Sequence, residues 1–183
     1  MNKPAHITAG IATGLVTSMY VIDDFSFSST NIAVTSILMA STFIGSVFPD
    51  IDHRGSYIGR KFKITSFIIS KTVGHRGATH SPLVLFLLSG LLMFISKTGI
   101  INLNLPESLL PYIYLGIGGF FLGSISHLLL DALTPAGIPL FYPFTKKSVN
   151  IARIKTGGFG EKIFTLLIWI GIGLMSAHYI GIV

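Results

Sequence analysis

The sequence predicts an all-α fold, a polytopic membrane bundle of about five transmembrane helices plus an interfacial helix. The first observation behind this prediction is composition: of the 183 residues half are apolar, 11% are charged, and the mean hydropathy is +0.73. A soluble domain of this length needs more charge to cover its surface. The second observation is that long apolar stretches recur along the chain. No repeat or low-complexity tract interrupts them, which predicts a single membrane-embedded domain over residues 1–183.

Five apolar stretches are long enough, or nearly so, for the ~20 helical residues that a bilayer core requires. They lie at about 6–22, 31–49, 81–99, 111–133 and 161–181. The first is short and rich in Thr and Gly, and it could also be interpreted as a signal peptide. Because Asp23 and Asp24 follow it in place of a small-residue cleavage site, we interpret it as a helix.

Two connections have a character of their own. Residues 62–73, FKITSFIISKTV, are amphipathic and too short to cross a bilayer, so they predict a helix lying in the interface. Residues 141–160 contain Pro, Gly and four basic side chains, and they predict an ordered loop or small hairpin. Small residues at 10, 14, 116, 118, 119 and 123 predict that the first and fourth spans pack closely.

The charges predict the orientation of these spans. Five alternating helices bring the N-terminus and the connections at 50–80 and 134–160 to one side of the membrane. Of the 13 Lys and Arg residues, all but Lys97 fall on that side. Basic residues in short loops stay in the cytoplasm. We therefore expect a multi-pass protein of the inner or plasma membrane, with its N-terminus on the cytoplasmic side.

The polar ionisable groups converge on that same side. Each of the five spans brings a His or a carboxylate to this face, and His127 and Asp131 lie four residues apart on one helical face. The converging residues are His6, Asp50, Asp52, His75, His80, His127, Asp131 and Glu161. Ionisable groups at membrane depth are costly and are usually functional. The pattern thus predicts a shared polar site.

The residue types indicate a metal centre. The chain contains no cysteine, so any metal must use imidazole and carboxylate, which are ligands for Zn²⁺, Mn²⁺ or iron. The expected ligands are His6, Asp50, Asp52, His80, His127 and Asp131. Because this set exceeds the needs of one tetrahedral ion, we expect one or two divalent ions, with Zn²⁺ or Mn²⁺ favoured.

Simpler explanations exist for several of these residues. Topology alone explains basic residues such as Arg60, Lys146 and Lys147 on this side. Glu161 at a helix start is favoured by the helix dipole without any function. A lone His and Asp four residues apart often do no more than hydrogen-bond near a helix end. The convergence of the whole set on one face favours a functional site.

The motifs PDIDHRGS, GHRGATHSP and SHLLLDALTPAGIPLFYPF, following an N-terminal His, resemble the YdjM-type family of membrane-bound, metal-dependent hydrolases. That family is also described as LexA-binding and inner-membrane-associated. The resemblance marks His6, Asp50, Asp52, His75, Arg76, His80, Ser81, His127, Asp131 and Glu161. It implies hydrolysis but defines no substrate. The His127/Asp131 pair is also remotely similar to one ligand pair of the zinc-dependent phospholipase C and single-strand nuclease superfamily, although the second His-rich helix of those enzymes is not evident here.

Three functions are compatible with this pattern. The first is a phosphoester hydrolase acting on a membrane lipid headgroup or a lipid-linked phosphate. In it, Glu161 or His75 acts as general base, and Arg76 and Arg54 stabilise charge on phosphate oxygens. The second is a metal-ion or proton transporter, which expects its ligands near mid-membrane. The third is a non-catalytic, metal-stabilised regulator, for which a protein partner, of unknown identity, is conceivable. We expect no direct binding of nucleic acid.

Overall fold

The computed structural model describes residues 1–22, 28–74, 76–99 and 106–179. In this part of the chain the fold is all-α, as predicted, and the only β pairing is a bridge between Ile138 and Val149. The α-helices are α1 (Lys3–Val21), α2 (Ser29–Val47), α3 (Tyr57–Lys61), α4 (Lys63–Thr72), α5 (Pro82–Thr98), α6 (Leu110–Ala132) and α7 (Phe159–Tyr179). Short 3-10 turns cover Pro49–Asp52, Ala78–His80 and Glu107–Leu109.

The five long helices correspond to the five predicted spans. Three segments are long and apolar enough to cross a membrane: Ser29–Asp52, Glu107–Ala132 and Phe159–Ala177. Helix α5 is apolar but has 17 residues, about 25 Å of helix at 1.5 Å per residue, against a bilayer core of ~30 Å. Such a helix can span a bilayer that thins locally.

Helix α1 has 19 residues but is less apolar than the other long helices, and it is not among the candidate spans of the described residues. Its sequence carries Thr, Ser and His side chains, and several of them, including His6, Thr8 and Ser18, are buried. A helix that packs against α2, α6 and α7 does not need an apolar surface all round. The five-span count therefore remains a prediction for α1 and α5.

Helices α1 and α6 both pack against α2, and small residues bring these three helices close together. A Cβ added at Gly123 of α6 would collide with the Thr42 backbone, and one added at Gly10 of α1 would collide with Ser46. The Ser124 hydroxyl donates to the Gly45 carbonyl across 3.2 Å. The predicted close packing holds for Gly10, Gly14, Gly119 and Gly123, which lie against α2, whereas nothing lies within 4 Å of an added Cβ at Gly118.

The connections also follow the sequence prediction. Helix α4 (Lys63–Thr72) coincides with the predicted interfacial segment, and its apolar side chains Ile64 and Ile68 are exposed. The bridge between Ile138 and Val149 gives the 134–158 connection the character of a small hairpin. Both connections lie at the end of the bundle where α1 and α7 begin and where α2 and α6 end. This end holds the candidate site.

Candidate metal centre

Short turns and helix ends position the candidate ligands. Pro49 begins a 3-10 turn directly after α2 and thereby places Asp50 and Asp52 at the end of that helix. His80 ends the turn Ala78–His80, just before Ser81 caps the N-terminus of α5 by accepting from the amide of Val84. The other ligands are on long helices: His6 is in the first turn of α1, and His127 and Asp131 are in the last two turns of α6.

His127 has one nitrogen ready for a ligand. Its Nδ1 lies 2.7 Å from the Ser46 carbonyl oxygen, so Nδ1–H donates and Nε2 keeps its lone pair. Nε2 is buried and has no hydrogen-bond partner among the described residues. It faces Asp50 Oδ1 at 3.8 Å and Asp131 Oδ2 at 3.9 Å. A metal-bound imidazole usually donates its second N–H in this way to a carbonyl or carboxylate.

His6 shows the same division between its two nitrogens. Its Nε2 lies 3.0 Å from the Met1 carbonyl oxygen and 3.4 Å from Asp131 Oδ1, so Nε2–H is the donor. Its Nδ1 is buried and has no partner in the described part of the chain. The His6 ring stacks on the His127 ring with centroids 3.7 Å apart and planes 14° apart. Two neutral imidazoles can stack at this distance, whereas two imidazolium ions would repel each other.

Asp52 orients His80. Its Oδ2 lies 3.1 Å from Nδ1 of His80 and also accepts from the Thr79 hydroxyl at 2.6 Å and the Arg76 amide at 2.8 Å. Nε2 of His80 then points toward Asp131 Oδ2, 3.7 Å away. This carboxylate–imidazole arrangement is the one that fixes the tautomer of a ligating His. Asp52 was predicted as a ligand, and its geometry here is that of an outer carboxylate.

The candidate ligands form two groups, and within each group the ligand atoms lie within 4.8 Å of one another. One group is His6, His127 and Asp131, and the other is Asp50, His80 and His127. Five of the six predicted ligands therefore meet, and His127 belongs to both groups. Asp50 is the most accessible of the five, with 34% of its side chain exposed. Because Nδ1 of His127 is committed to Ser46, this imidazole cannot bridge two ions.

Arg76 supplies positive charge to the centre. Its Nη2 lies 3.0 Å from Asp131 Oδ2, and its Nη1 donates to the Gly137 carbonyl at 2.7 Å. The backbone of Arg76 has φ of 56°, an uncommon value for a non-glycine residue that directs its amide to Asp52. The Met1 amino group also lies 2.5 Å from Asp131 Oδ1. The buried carboxylate of Asp131 is therefore paired on both oxygens.

A partly open cavity of about 370 Å³ lies against this cluster. Asp50, Asp131 and His6 form part of its wall, together with Arg76. The wall also contains Lys3, His53, Tyr57 and Arg60, which the sequence did not single out as site residues. The sequence placed these residues on the same side of the membrane as the motifs. That placement did not identify them as site residues, because topology alone already explained the basic residues there.

Glu161 belongs to neither group of candidate ligands. It is 2% exposed, and its Oε1 accepts from the Asn2 amide at 2.7 Å while its Oε2 accepts from the Gly157 amide. These bonds tie the start of α1 to the start of α7. Both oxygens are occupied by backbone donors, so the general-base role predicted for Glu161 lacks a matching geometry.

The remaining predicted residues have different settings. Arg54 does not line the cavity at the ligands; its guanidinium carbon lies 5.1 Å from the centre of the Phe67 ring. Ser81 donates to the Tyr142 carbonyl at 2.9 Å, a bond that fixes the hairpin connection against α5. His75 falls outside the described residues.

A family model described as the YdjM inner membrane protein matches residues 1–183, the full length of the sequence. The chain belongs to the YdjM inner membrane protein family. Membership agrees with the presence of helices long and apolar enough to cross a membrane. Within this family member, the segments that carry the motifs are those that bring Asp50, Asp52, His80, His127 and Asp131 to one end of the bundle.

Individual relatives cover this YdjM-family chain to different extents. YvsG of Bacillus subtilis (strain 168) is 35% identical over 179 residues, which are 98% of this chain and 94% of the relative. Inner membrane protein YdjM of Escherichia coli (strain K12) is 40% identical over 107 residues, which are 58% of this chain and 49% of that protein. The YdjM protein of Shigella flexneri matches with the same figures. The chain thus aligns with about half the length of the two YdjM proteins. No solved structure matches this chain.

Proposed function

We propose that this protein is a metal-dependent hydrolase that cleaves a phosphoester of a membrane lipid headgroup or lipid-linked phosphate at the cytoplasmic membrane face. The observation that carries the proposal is the meeting of three buried imidazoles with Asp50 and Asp131 beside a partly open cavity of about 370 Å³. A structural metal site is normally closed by protein ligands, whereas a catalytic site keeps a position open. The cavity favours the catalytic kind.

The donor set fits a divalent ion. Buried nitrogens with lone pairs on His6 and His127 lack any donor among the described residues, which is costly unless a cation is bound. Imidazole and carboxylate together favour Zn²⁺ or Mn²⁺. Since His127 offers a single nitrogen, we propose one ion near Asp131 Oδ2, which lies 3.7 Å from Nε2 of His80 and 3.9 Å from Nε2 of His127. His6 lies beside this ion.

A bound divalent ion would polarise a phosphoryl oxygen and lower the pKa of a water molecule toward neutrality. The residues of the chain supply the remaining functions. Asp50, which lines the cavity and is partly exposed, is better placed than Glu161 to accept a proton from a water molecule there. The Arg76 guanidinium, held by Asp131 and Gly137, presents positive charge where an anionic group would bind.

The transporter and the scaffold are less well supported. A transporter expects its ligands near mid-membrane on broken helices. Here the ligands lie in the first turn of α1, in the last two turns of α6 and in turns outside the helices. A scaffold does not require a partly open cavity beside the ligands.

The test is metal analysis and hydrolysis with purified, detergent-solubilised protein. We expect about one Zn²⁺ or Mn²⁺ per wild-type chain. His127→Ala should lose more than the ~10–100-fold in metal affinity that an outer-shell change costs, because a direct ligand is removed.

Wild type should also release phosphate or headgroup from mixed micelles of phospholipids, and His127→Ala should not. Lys146→Gln, an exposed change on the same side, is the control. Equal, sub-stoichiometric metal in wild type and His127→Ala would refute the proposal.

A further inference from the structure

A second cavity of about 410 Å³ adjoins the one at the metal centre. Its wall consists of Arg54, Gly55, Gly59, Arg60 and Lys63. Gly55 and Arg60 also line the cavity at the ligands, so the two spaces share a border. The basic cavity, as we name this space between the 54–55 turn, α3 and the start of α4, has no role in the chemistry described so far.

The charged side chains around the basic cavity are all positive. Three of its five wall residues are cationic and none is acidic. The sequence contains no Asp or Glu between Asp52 and Glu107, so this segment has no acid of its own to offset the charge. Three cations around one space repel each other and are stabilised by an anion that accepts charge-assisted hydrogen bonds from them.

An aromatic ring contacts Arg54, and hydrogen bonds fix the backbone of the segment that carries Arg54 and Arg60. The Arg54 guanidinium carbon lies 5.1 Å from the Phe67 ring centre, a cation–π distance that restricts its rotamers. The Ser56 hydroxyl accepts from the Gly59 amide and donates to the Asp50 carbonyl at 2.7 Å, so the start of α3 is tied to the turn that carries Asp50. The basic cavity is therefore formed by the same short segment of chain that carries Asp50 of the metal centre.

We infer that the basic cavity is a second anion subsite, and that the substrate carries two phosphoryl groups: one at the metal centre, the other between Arg54, Arg60 and Lys63. The inference rests on the proposed function. It gives Arg54 a different role from the one the sequence suggested. Arg54 binds a distal anionic group and Arg60 lies between the two subsites. The substrate class is a lipid-linked diphosphate or a lipid bearing a second phosphate.

The experiment measures binding of short bisphosphonates to metal-loaded protein in neutral detergent by isothermal titration calorimetry. The probes are methylenediphosphonate and propane-1,3-bisphosphonate, and methylphosphonate is the single-anion reference. We expect at least one bisphosphonate to bind wild type roughly tenfold more tightly than methylphosphonate, as charge-assisted hydrogen bonds would provide. The double variant Arg54→Gln/Lys63→Gln should lose that preference and keep its affinity for methylphosphonate.

The matched control is Lys146→Gln/Lys147→Gln, which removes the same charge from exposed positions in the other connection. It should retain the bisphosphonate preference. Equal loss in both double variants, or no preference in wild type, would overturn the subsite.

The same titration in micelles containing phosphatidylglycerol separates two sources of the second anion. If that lipid abolishes the preference, a bilayer headgroup fills the basic cavity, and the two-phosphate substrate is refuted. Metal content measured before each titration keeps the tests apart: a wild type that does not take up metal refutes the proposed function, whereas a metal-loaded protein without the preference refutes the subsite.

Discussion

Asp52 and His80 form a buried pair whose geometry decides how well His80 can serve as a ligand. The Asp52 carboxylate accepts from the His80 ring, the Thr79 hydroxyl and the Arg76 amide, and it is 1% exposed. All three groups meet the same oxygen, Oδ2, where an ionised carboxylate is a stronger acceptor than a neutral amide oxygen. The pair therefore couples the backbone of the 76–80 segment to the orientation of one imidazole.

The first prediction is that Asp52→Asn lowers metal affinity by ~10–100-fold, the usual cost of losing an outer-shell carboxylate. The Asn carbonyl oxygen could take the place of Oδ2, but it carries no formal charge and would hold the His80 tautomer less firmly. Competition with a chromophoric chelator measures the affinity. Glu107→Gln, an exposed change in the turn before α6, is the control and should have no effect. Unchanged affinity in Asp52→Asn would contradict the role given to Asp52.

The chemistry of the site could be predicted from the sequence, but the individual roles could not. The absence of cysteine and the clustering of His and Asp in three motifs indicated imidazole and carboxylate ligands. Asp50 and Asp52 are two residues apart in one motif, and nothing in their spacing distinguishes an accessible cavity carboxylate from a buried outer one. Glu161 was equally ambiguous, because its partners, the amides of Asn2 and Gly157, are backbone groups.

At the scale of elements, close contact between α2 and α6 positions His127. The Ser46 carbonyl reaches Nδ1 of His127 at 2.7 Å, which requires the two helices to approach closely near their ends. Gly45 faces the Phe120 carbonyl and Gly123 faces the Thr42 carbonyl across this interface. Small residues at such positions let membrane helices pack backbone to backbone.

The second prediction concerns Gly123→Ala, which should lower the free energy of unfolding by roughly 1–3 kcal/mol, the usual cost of overpacking. The added methyl group would meet backbone atoms of Thr42, which cannot move aside as a flexible side chain can. Gly118→Ala on the same helix is the matched control, because nothing lies within 4 Å of its added Cβ. Thermal unfolding in detergent compares the two variants. Equal unfolding temperatures would show that the α2–α6 contact does not limit stability.

The third prediction is that Glu161→Gln destabilises the protein by about 1–3 kcal/mol, the cost of leaving a buried group unpaired, and leaves metal stoichiometry intact. The Gln side chain has one carbonyl oxygen, so its NH₂ group would face the amide of either Asn2 or Gly157. Lys162→Gln, an exposed neighbour, is the control. Unfolding temperature and metal content are measured on the same preparations. Loss of metal with unchanged stability would contradict the structural role given to Glu161.

On the scale of the whole molecule, the packing of the helices brings side chains from distant parts of the sequence together at one end of the bundle. His6 and Asp131 lie 3.4 Å apart although α1 and α6 are separated in sequence by four helices. Apolar stretches and alternation sufficed to predict which residues share one end of the bundle. They could not predict the distances, because these depend on backbone contacts such as that between Gly123 and Thr42. The packing of both α1 and α6 against α2 was likewise not evident from periodicity.

The fourth prediction is the orientation of the helix bundle in the membrane: the metal centre faces the cytoplasm. All Lys and Arg residues other than Lys97 belong to the N-terminus, the 50–80 connection and the connection between α6 and α7 with the flanking first turn of α7. The cysteine-free sequence makes the test direct, because single cysteines can be introduced without removing any. Ser148→Cys lies in the connection between α6 and α7, and Ser108→Cys lies in the exposed turn at the opposite end.

A membrane-impermeant maleimide added to intact spheroplasts should label Ser108→Cys, and it should label Ser148→Cys only after the membrane is broken. The reason is that basic residues near short loops are retained on the cytoplasmic side. Labelling of both variants after lysis shows that each thiol is accessible. If Ser148→Cys reacts in intact spheroplasts, the metal centre faces outward, and its substrate must be sought on the outer leaflet.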